Sequence, residues 1–440
     1  MQNLSIYSIV AFIILSMLGT IKLYIGSGAI WLAQILLLFI ALISFLYGVK
    51  GKLKIINQRL YGFFNHYFIF LFWLLFMLGI AIAALENDGK GAYTLIKYSF
   101  FIPMFLILLI IPYVSSGLLE RALYIVLFLS LLPLISFIIF RYLDAMVILG
   151  DGRMGWLASW PGVIWKIGAF IWPVAAWRCM QKVSLSNLLL AFSSALIIAL
   201  DGSRTAIVWM ILVWLTLSII AAYTNKQKIK NNQILVHCCL LLVASISFAA
   251  IQPTLLGWVR GQYDDAIIQL VTPSTNIQDK LDIENEKINN IDNKLTPENT
   301  TAVRLVQGDT TTRLEMLSIG WQQAVDNFPF GGGFGSTKAN EHGEKVVIHM
   351  TYLQILADEG VISLLGYLLF FIYPLYHGIR FVTEKKELFL ERFEIMLTPL
   401  SILILFLFMG LFHPLSNELS EWGIVLVAIS IILNYVPRHK

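Results

Sequence analysis

Charge is scarce in this chain. Of its 440 residues only 13% are Asp, Glu, Lys or Arg, about half the usual globular share, while 58% are hydrophobic. That balance excludes an ordinary soluble fold. Cysteine is scarcer still: Cys179, Cys238 and Cys239 are the only three, all beside or inside apolar stretches. None has the spaced Cys or His companions that a zinc site needs, so neither a disulfide framework nor a structural metal is expected. The net charge of +4 is spread over short basic clusters, without the interleaved basic and aromatic surface that nucleic acid requires. There is no repeat of 20 to 50 residues and no duplication of the two halves. The outer-face segments contain no G-x-S-x-G, H-E-x-x-H or DxD-type signature, and no cofactor is expected.

What the chain has is apolar length. Roughly 255 hydrophobic side chains, at about 20 per crossing, suffice for ten to twelve membrane spans. The mean hydropathy of +0.77 agrees. Runs long enough to span fall at 5–24, 28–48, 64–84, 93–112, 119–140, 157–177, 185–200, 204–223, 233–251, 352–379, 393–412 and 421–436. The opening run lacks a basic n-region and a small-residue cleavage pattern, so it reads as a retained first span. These runs predict an all-α polytopic protein of about twelve transmembrane helices, with membrane bundles at 1–251 and 351–440 and a hydrophilic loop domain at 252–350.

Orientation follows from the connections, because Lys and Arg are retained on the cytoplasmic side of short loops. One alternate set holds sixteen: Lys50, Lys52, Lys54, Arg59, Arg121, Arg178, Lys182, Lys226, Lys228, Lys230, Arg380, Lys385, Lys386, Arg392, Arg438 and Lys440. The other, leaving out the long loop, has Lys22, Lys90, Arg141, Arg153 and Arg204. Both termini are therefore expected in the cytoplasm and the long loop outside. Trp156, Trp160 and Trp165 suit an interfacial aromatic belt. The middle of the loop is polar and free of aromatics, a mobile cover or a surface helix pair. Further on, Thr312 and Glu315 read as a capping box, and Leu314, Leu317, Trp321 and Val325 recur at helical spacing up to Pro329. A short amphipathic helix on the membrane surface is expected there.

Sorted by side, the notable polar residues converge on the outer face: Asp151, Arg153, Asp201, Arg204, Arg313, His349, His413, Asn417, Glu418 and Glu421. Arg204 opens the eighth span. It reads either as a snorkelling boundary residue or as an anion ligand whose planar guanidinium suits phosphate oxygens. Arg313 sits in the first turn of the surface helix, where the dipole disfavours it, and pairs with Glu315 or Asp309 or with an anion. His349 precedes the tenth span. In the first turn or cap of that helix it would be held neutral, a boundary residue or a general base. Lys97 and Lys166 pair inside the bundle or snorkel. Gly331, Gly332, Gly333 and Gly335 in PFGGGFG form a flexible turn, and a phosphate cradle there lacks the GK[ST] ending.

Three segments carry a resemblance. HMTYLQILADEG, with His349 and Gly360, resembles the outer-loop signature of the O-antigen ligases and related O-antigen polymerases. DGSRTAIVW is similar to the Ser-Arg-Thr segment that opens a span in that family. The stretch from Arg313 through PFGGGFG is similar to its Arg-x-x-x-W/L and Pro-hydrophobic-Gly-x-Gly region. Together they cover about residues 195–370, in the family's order. Two positions depart: Met350 stands where Asn, Ser or Gln is expected, and Ser363 where the second glycine of GxxG belongs, with Gly366 following. The resemblance implies a GT-C-like membrane fold and transfer of a glycan from an undecaprenyl-pyrophosphate carrier at the periplasmic face. The acceptor is a hydroxyl of lipid A-core for a ligase, or a second carrier-linked repeat for a polymerase. On that reading Arg204 and Arg313 hold the diphosphate and His349 takes the acceptor proton. Arg153, Glu418 and Gly333 line the substrate, Arg153 as a third clamp and Glu418 orienting His349 or the acceptor. A twelve-span secondary transporter is the competing class; it calls for ionisable residues at the bilayer midplane.

Overall fold

A computed structural model describes residues 2–18, 22–25, 28–47, 66–87, 92–99, 101–110, 114–140, 146–148, 154–156, 165–182, 184–201, 203–224, 311–333, 335–336, 338–341, 344–415 and 419–435. Among them the architecture is helical. The helices are α1 (Gln2–Leu18), α2 (Leu32–Tyr47), α3 (Tyr67–Glu86), α4 (Ala92–Ser99), α5 (Phe101–Ile110), α6 (Ser116–Phe140) and α7 (Trp165–Gln181). They continue with α8 (Leu185–Asp201), α9 (Arg204–Thr224), α10 (Thr311–Asp326), α11 (Thr351–Thr383), α12 (Phe389–Met409) and α13 (Leu419–Tyr435). Strands occur as three antiparallel two-stranded hairpins in the connections, β1–β2 (Lys22–Ile25, Gly28–Trp31), β3–β4 (Met146–Ile148, Met154–Trp156) and β5–β6 (Lys338–Glu341, Glu344–Val347). The hydrophobic runs alone did not foretell these hairpins.

Four helical stretches among the described residues are long and apolar enough to cross a bilayer: Tyr67–Glu86, Arg204–Ala222, Thr351–Thr383 and Lys386–Met409. Shorter apolar helices lie at Ile6–Met17, Leu32–Leu46, Leu185–Ile198 and Glu421–Tyr435. The chain is thus a membrane protein by its helices, and the ninth expected run, 233–251, lies outside the described residues. Within the run 93–112, expected as one span, α4 and α5 are helical, and residues 100, 111 and 112 lie outside the described residues.

The chain forms two compact units, Met1–Ala122 with Asp309–Lys440, and Leu123–Gly308. In the second, α7 is buried along nearly its whole length between α8 and α9. Trp209 Nε1 donates to Ala169 O and Trp172 Nε1 to Met210 O, both at 3.1 Å, and Ser194 Oγ donates to Gly168 O at 2.7 Å. A side chain at Gly168 would strike that same Ser194 backbone, so the glycine sets the α7–α8 approach.

The first unit is built on the α3–α11 pair. Small residues meet there: a Cβ on Gly79 would overlap Ser363, and one on Gly366 would overlap the backbone of Phe76. This close approach is how helices gain contact in an apolar solvent, where burial between helices is not itself a driving force. Around the crossing stands an aromatic cluster centred on Trp422 of α13. Its ring lies 5.4 Å from Trp73 and Phe406, 5.5 Å from Phe101 and 5.7 Å from Tyr98. These are the separations at which edge-to-face and offset pairs are favourable.

Candidate functional site

The site is assembled on a break in α11. Gly360 has φ +82° and ψ 178°, outside the helical region, inside an otherwise continuous helix. At that break the loop 329–336 enters the helix's own hydrogen-bond ladder. Val361 N–H, which in an unbroken helix would donate to Ala357 O, donates to Pro329 O at 3.0 Å. The released Ala357 O accepts from Gly332 N–H at 2.9 Å, and Asp358 O accepts from Gly333 N–H at 2.8 Å. The Asp358 carboxylate completes the graft, accepting from Gly335 N–H and from Ser336 Oγ, each at 2.9 Å. From α3, Asn87 Nδ2 donates to Gly331 O at 3.0 Å and to Ala83 O at 2.7 Å.

The described residues of PFGGGFG, expected as a flexible turn, are hydrogen-bonded to α11. Gly331, Gly333 and Gly335 have φ of +84°, +82° and +72°, conformations open to glycine. A cradle for phosphate would need free N–H groups, and those of Gly332, Gly333 and Gly335 are spent on α11. Gly333, expected beside the substrate, is a structural part of the graft.

Helix α10 brings Arg313 into this unit. It packs through Ala324 against Ile348, Leu353 and Ala357, with Leu317, Met350 and Leu356 around them. Gly320 lets α10 approach, since a side chain there would strike Ile348 and Leu353. Of the expected apolar stripe, Leu317 packs on this cluster while Trp321 and Val325 are 61% and 54% exposed; Met316 and Ala324 are buried. The face with small residues fits against α11; the face with bulk does not. The helix begins at Thr311, so Thr312 lies within its first turn and not at the cap.

His349 stands between Ile348 and Met350, flanked by the very residues on which α10 rests. The cap of α11 is Met350, with φ −153°, which places His349 one residue outside the helix and not in its first turn or cap as expected. Its ring is half-buried and engaged with its surroundings. The start of α11 is tied down there: Thr351 N–H donates to Gly410 O and Thr351 Oγ1 to His413 O, both at 2.8 Å, and Gln354 Oε1 accepts from Leu415 N–H at 2.7 Å. Arg313 lies seven residues before Gly320, about 10 Å along α10 at 1.5 Å per residue.

In the other unit, Arg204 is the first residue of α9 and half-buried. Ser203 caps that helix, its Oγ accepting from Ala206 N–H at 3.4 Å and its carbonyl from Ile207 N–H at 3.3 Å. Arg153 and Glu418 lie outside the described residues.

Sequence reading passed over Asp358 and Glu359. Both are fully buried nine and ten residues beyond His349, and Glu421 of α13 is buried as well. Tyr98 and Tyr367 lie within electrostatic range of both Glu359 and Glu421. Adjacent carboxyls in an apolar run of α11 were the available signal. Among the described residues, no group of three or more His, Cys, Asp or Glu has the geometry to hold a metal ion. No protein-family model matches the chain, and no curated protein is similar to it.

Proposed function

We propose that the protein transfers a glycan from an undecaprenyl-pyrophosphate carrier to a hydroxyl acceptor at the outer face of the inner membrane, with His349 as the general base. The acceptor of the O-antigen ligase reading is lipid A-core. The observation that supports it best is the graft of loop 329–336 onto α11. It joins the His349 turn, α10 with Arg313, and the Gly-rich loop, the segments that carry the family resemblance in this unit, into one packed structure. A lipid-linked donor calls for a membrane fold, and its diphosphate leaving group already activates the sugar. Chemistry then needs a group to take the hydroxyl proton and positive charge to stabilise the departing diphosphate. His349 supplies the first and Arg313, in the same unit, the second, a part that the family resemblance also gives to Arg204. The surface glycan ladder of a deletion strain tests this reading. Loss of long chains with accumulation of carrier-linked polymer supports a ligase. Core bearing a single repeat means a polymerase, and an unchanged ladder refutes both.

A second reading, a secondary transporter, gains from one observation: Asp358, Glu359 and Glu421 are buried within the apolar helices, where ionisable residues mark transport pathways. Counterflow of a solute into vesicles without glycan transfer would establish it.

A further inference from the structure

Glu359 is 1% exposed, in a helix long enough to cross the membrane. Its Oε1 has no hydrogen-bond partner among the described residues. Its Oε2 lies 3.0 Å from Ser363 Oγ, and Ser363 Oγ also donates to Phe76 O at 3.0 Å. A hydroxyl has one proton to give. With that proton on the Phe76 carbonyl, the short Oγ to Oε2 contact would join two acceptors, unless the second proton comes from the carboxyl itself. A neutral acid resolves this in a continuous chain: Glu359 Oε2–H donates to Ser363 Oγ, and Ser363 Oγ–H donates to Phe76 O. The bare Oε1 points the same way, because an ionised carboxylate buried with an unsatisfied oxygen is far costlier than a neutral carbonyl in the same place. Among the described residues, the groups within electrostatic range of the site add no positive charge: Tyr98 from α4, Tyr367 and Asp358 from α11, and Glu421 from α13.

We propose that Glu359 is an intramembrane proton-binding site, whose bound proton fastens α11 to α3 through Ser363 at their closest crossing. The ligand is the proton itself. The site sits where Gly79 and Gly366 bring the two backbones together, so a charge formed there has no room to recruit water without parting the helices. This inference stands whether the protein is a transferase or a carrier.

Infrared spectroscopy of the full-length protein in lipid vesicles at neutral pH tests it. The Glu359→Gln variant is expected to lose a carbonyl-stretch band of a neutral carboxylic acid, one that moves in heavy water. The Ser363→Ala variant, which keeps the acid but removes its acceptor, is expected to retain that band at a higher frequency. If Glu359→Gln instead removes the paired bands of a carboxylate, or if Ser363→Ala leaves the acid band where it was, the proposal is overturned. Should Glu359→Gln fail to fold, the Ser363→Ala shift decides by itself.

Discussion

A methyl group at position 360 would meet the carbonyls of Pro329 and Phe330, and the backbone there adopts φ +82° with ψ 178°, a region open almost only to glycine. Gly360→Ala is therefore expected to cost about 1–3 kcal/mol from backbone strain alone, and more from the displaced loop. Gly335 shares the positive φ but has open space around it, so Gly335→Ala should show the strain without the collision. Unfolding of both variants in detergent measures the difference; equal losses would mean that the graft contributes nothing. At the chemical end, a general base is worth about 10²–10⁴ in rate. His349→Ala should lose that much transfer while its melting temperature stays near that of the unmodified protein, since half-buried His349 lies outside the α11 helix. Asp358 is the residue that sequence reading could least have assigned. An acid in an apolar run looks like a fault until the break at Gly360 shows it accepting from Gly335 and Ser336.

Between elements, the decisive contacts are made by residues that carry little hydrophobic weight. In α10 the periodicity of Leu314, Leu317, Trp321 and Val325 was legible, and it correctly announced a helix. Which face would be buried was not legible, because that depends on Gly320 and Ala324 fitting against Ile348, Leu353 and Ala357. Bulk at Ala324 should therefore destabilise this unit, whereas Trp321→Ala, on the exposed face, should leave thermal unfolding almost unchanged. The α3–α11 crossing obeys the same rule. Gly79→Val should prevent folding or lower the melting temperature sharply, because its side chain would overlap Ser363. Gly117 in α6 has nothing within 4 Å of an added Cβ, so Gly117→Ala should be neutral or stabilise by about 0.5–1 kcal/mol. A Gly79→Val protein as stable as the original would contradict the packing described.

For the whole chain, composition carried the reading furthest. Scarce charge and long apolar runs announced a membrane protein, and four spanning helices agree. The site was only partly legible. Arg313 and His349 were singled out from sidedness and helix position, and their roles are proposals; α10 packs on Ile348 and Met350, the residues that flank His349. The tie between loop and helix was invisible because it is made by backbone groups, which every residue possesses. Topology offers its own check. A cysteine placed at exposed Gln322 should be modified by a membrane-impermeant maleimide added outside intact spheroplasts; labelling only after lysis would reverse the orientation.

Transfer chemistry itself is the most direct test. The full-length protein, purified and reconstituted in vesicles with an undecaprenyl-pyrophosphate-linked glycan and lipid A-core, should form glycan-bearing core without added metal or nucleotide. His349→Ala, Arg204→Ala and Arg313→Ala should each lose about 10²-fold or more of that rate. Absence of transfer by the unmodified protein, or transfer at the unmodified rate by the His349→Ala variant, would contradict the mechanism.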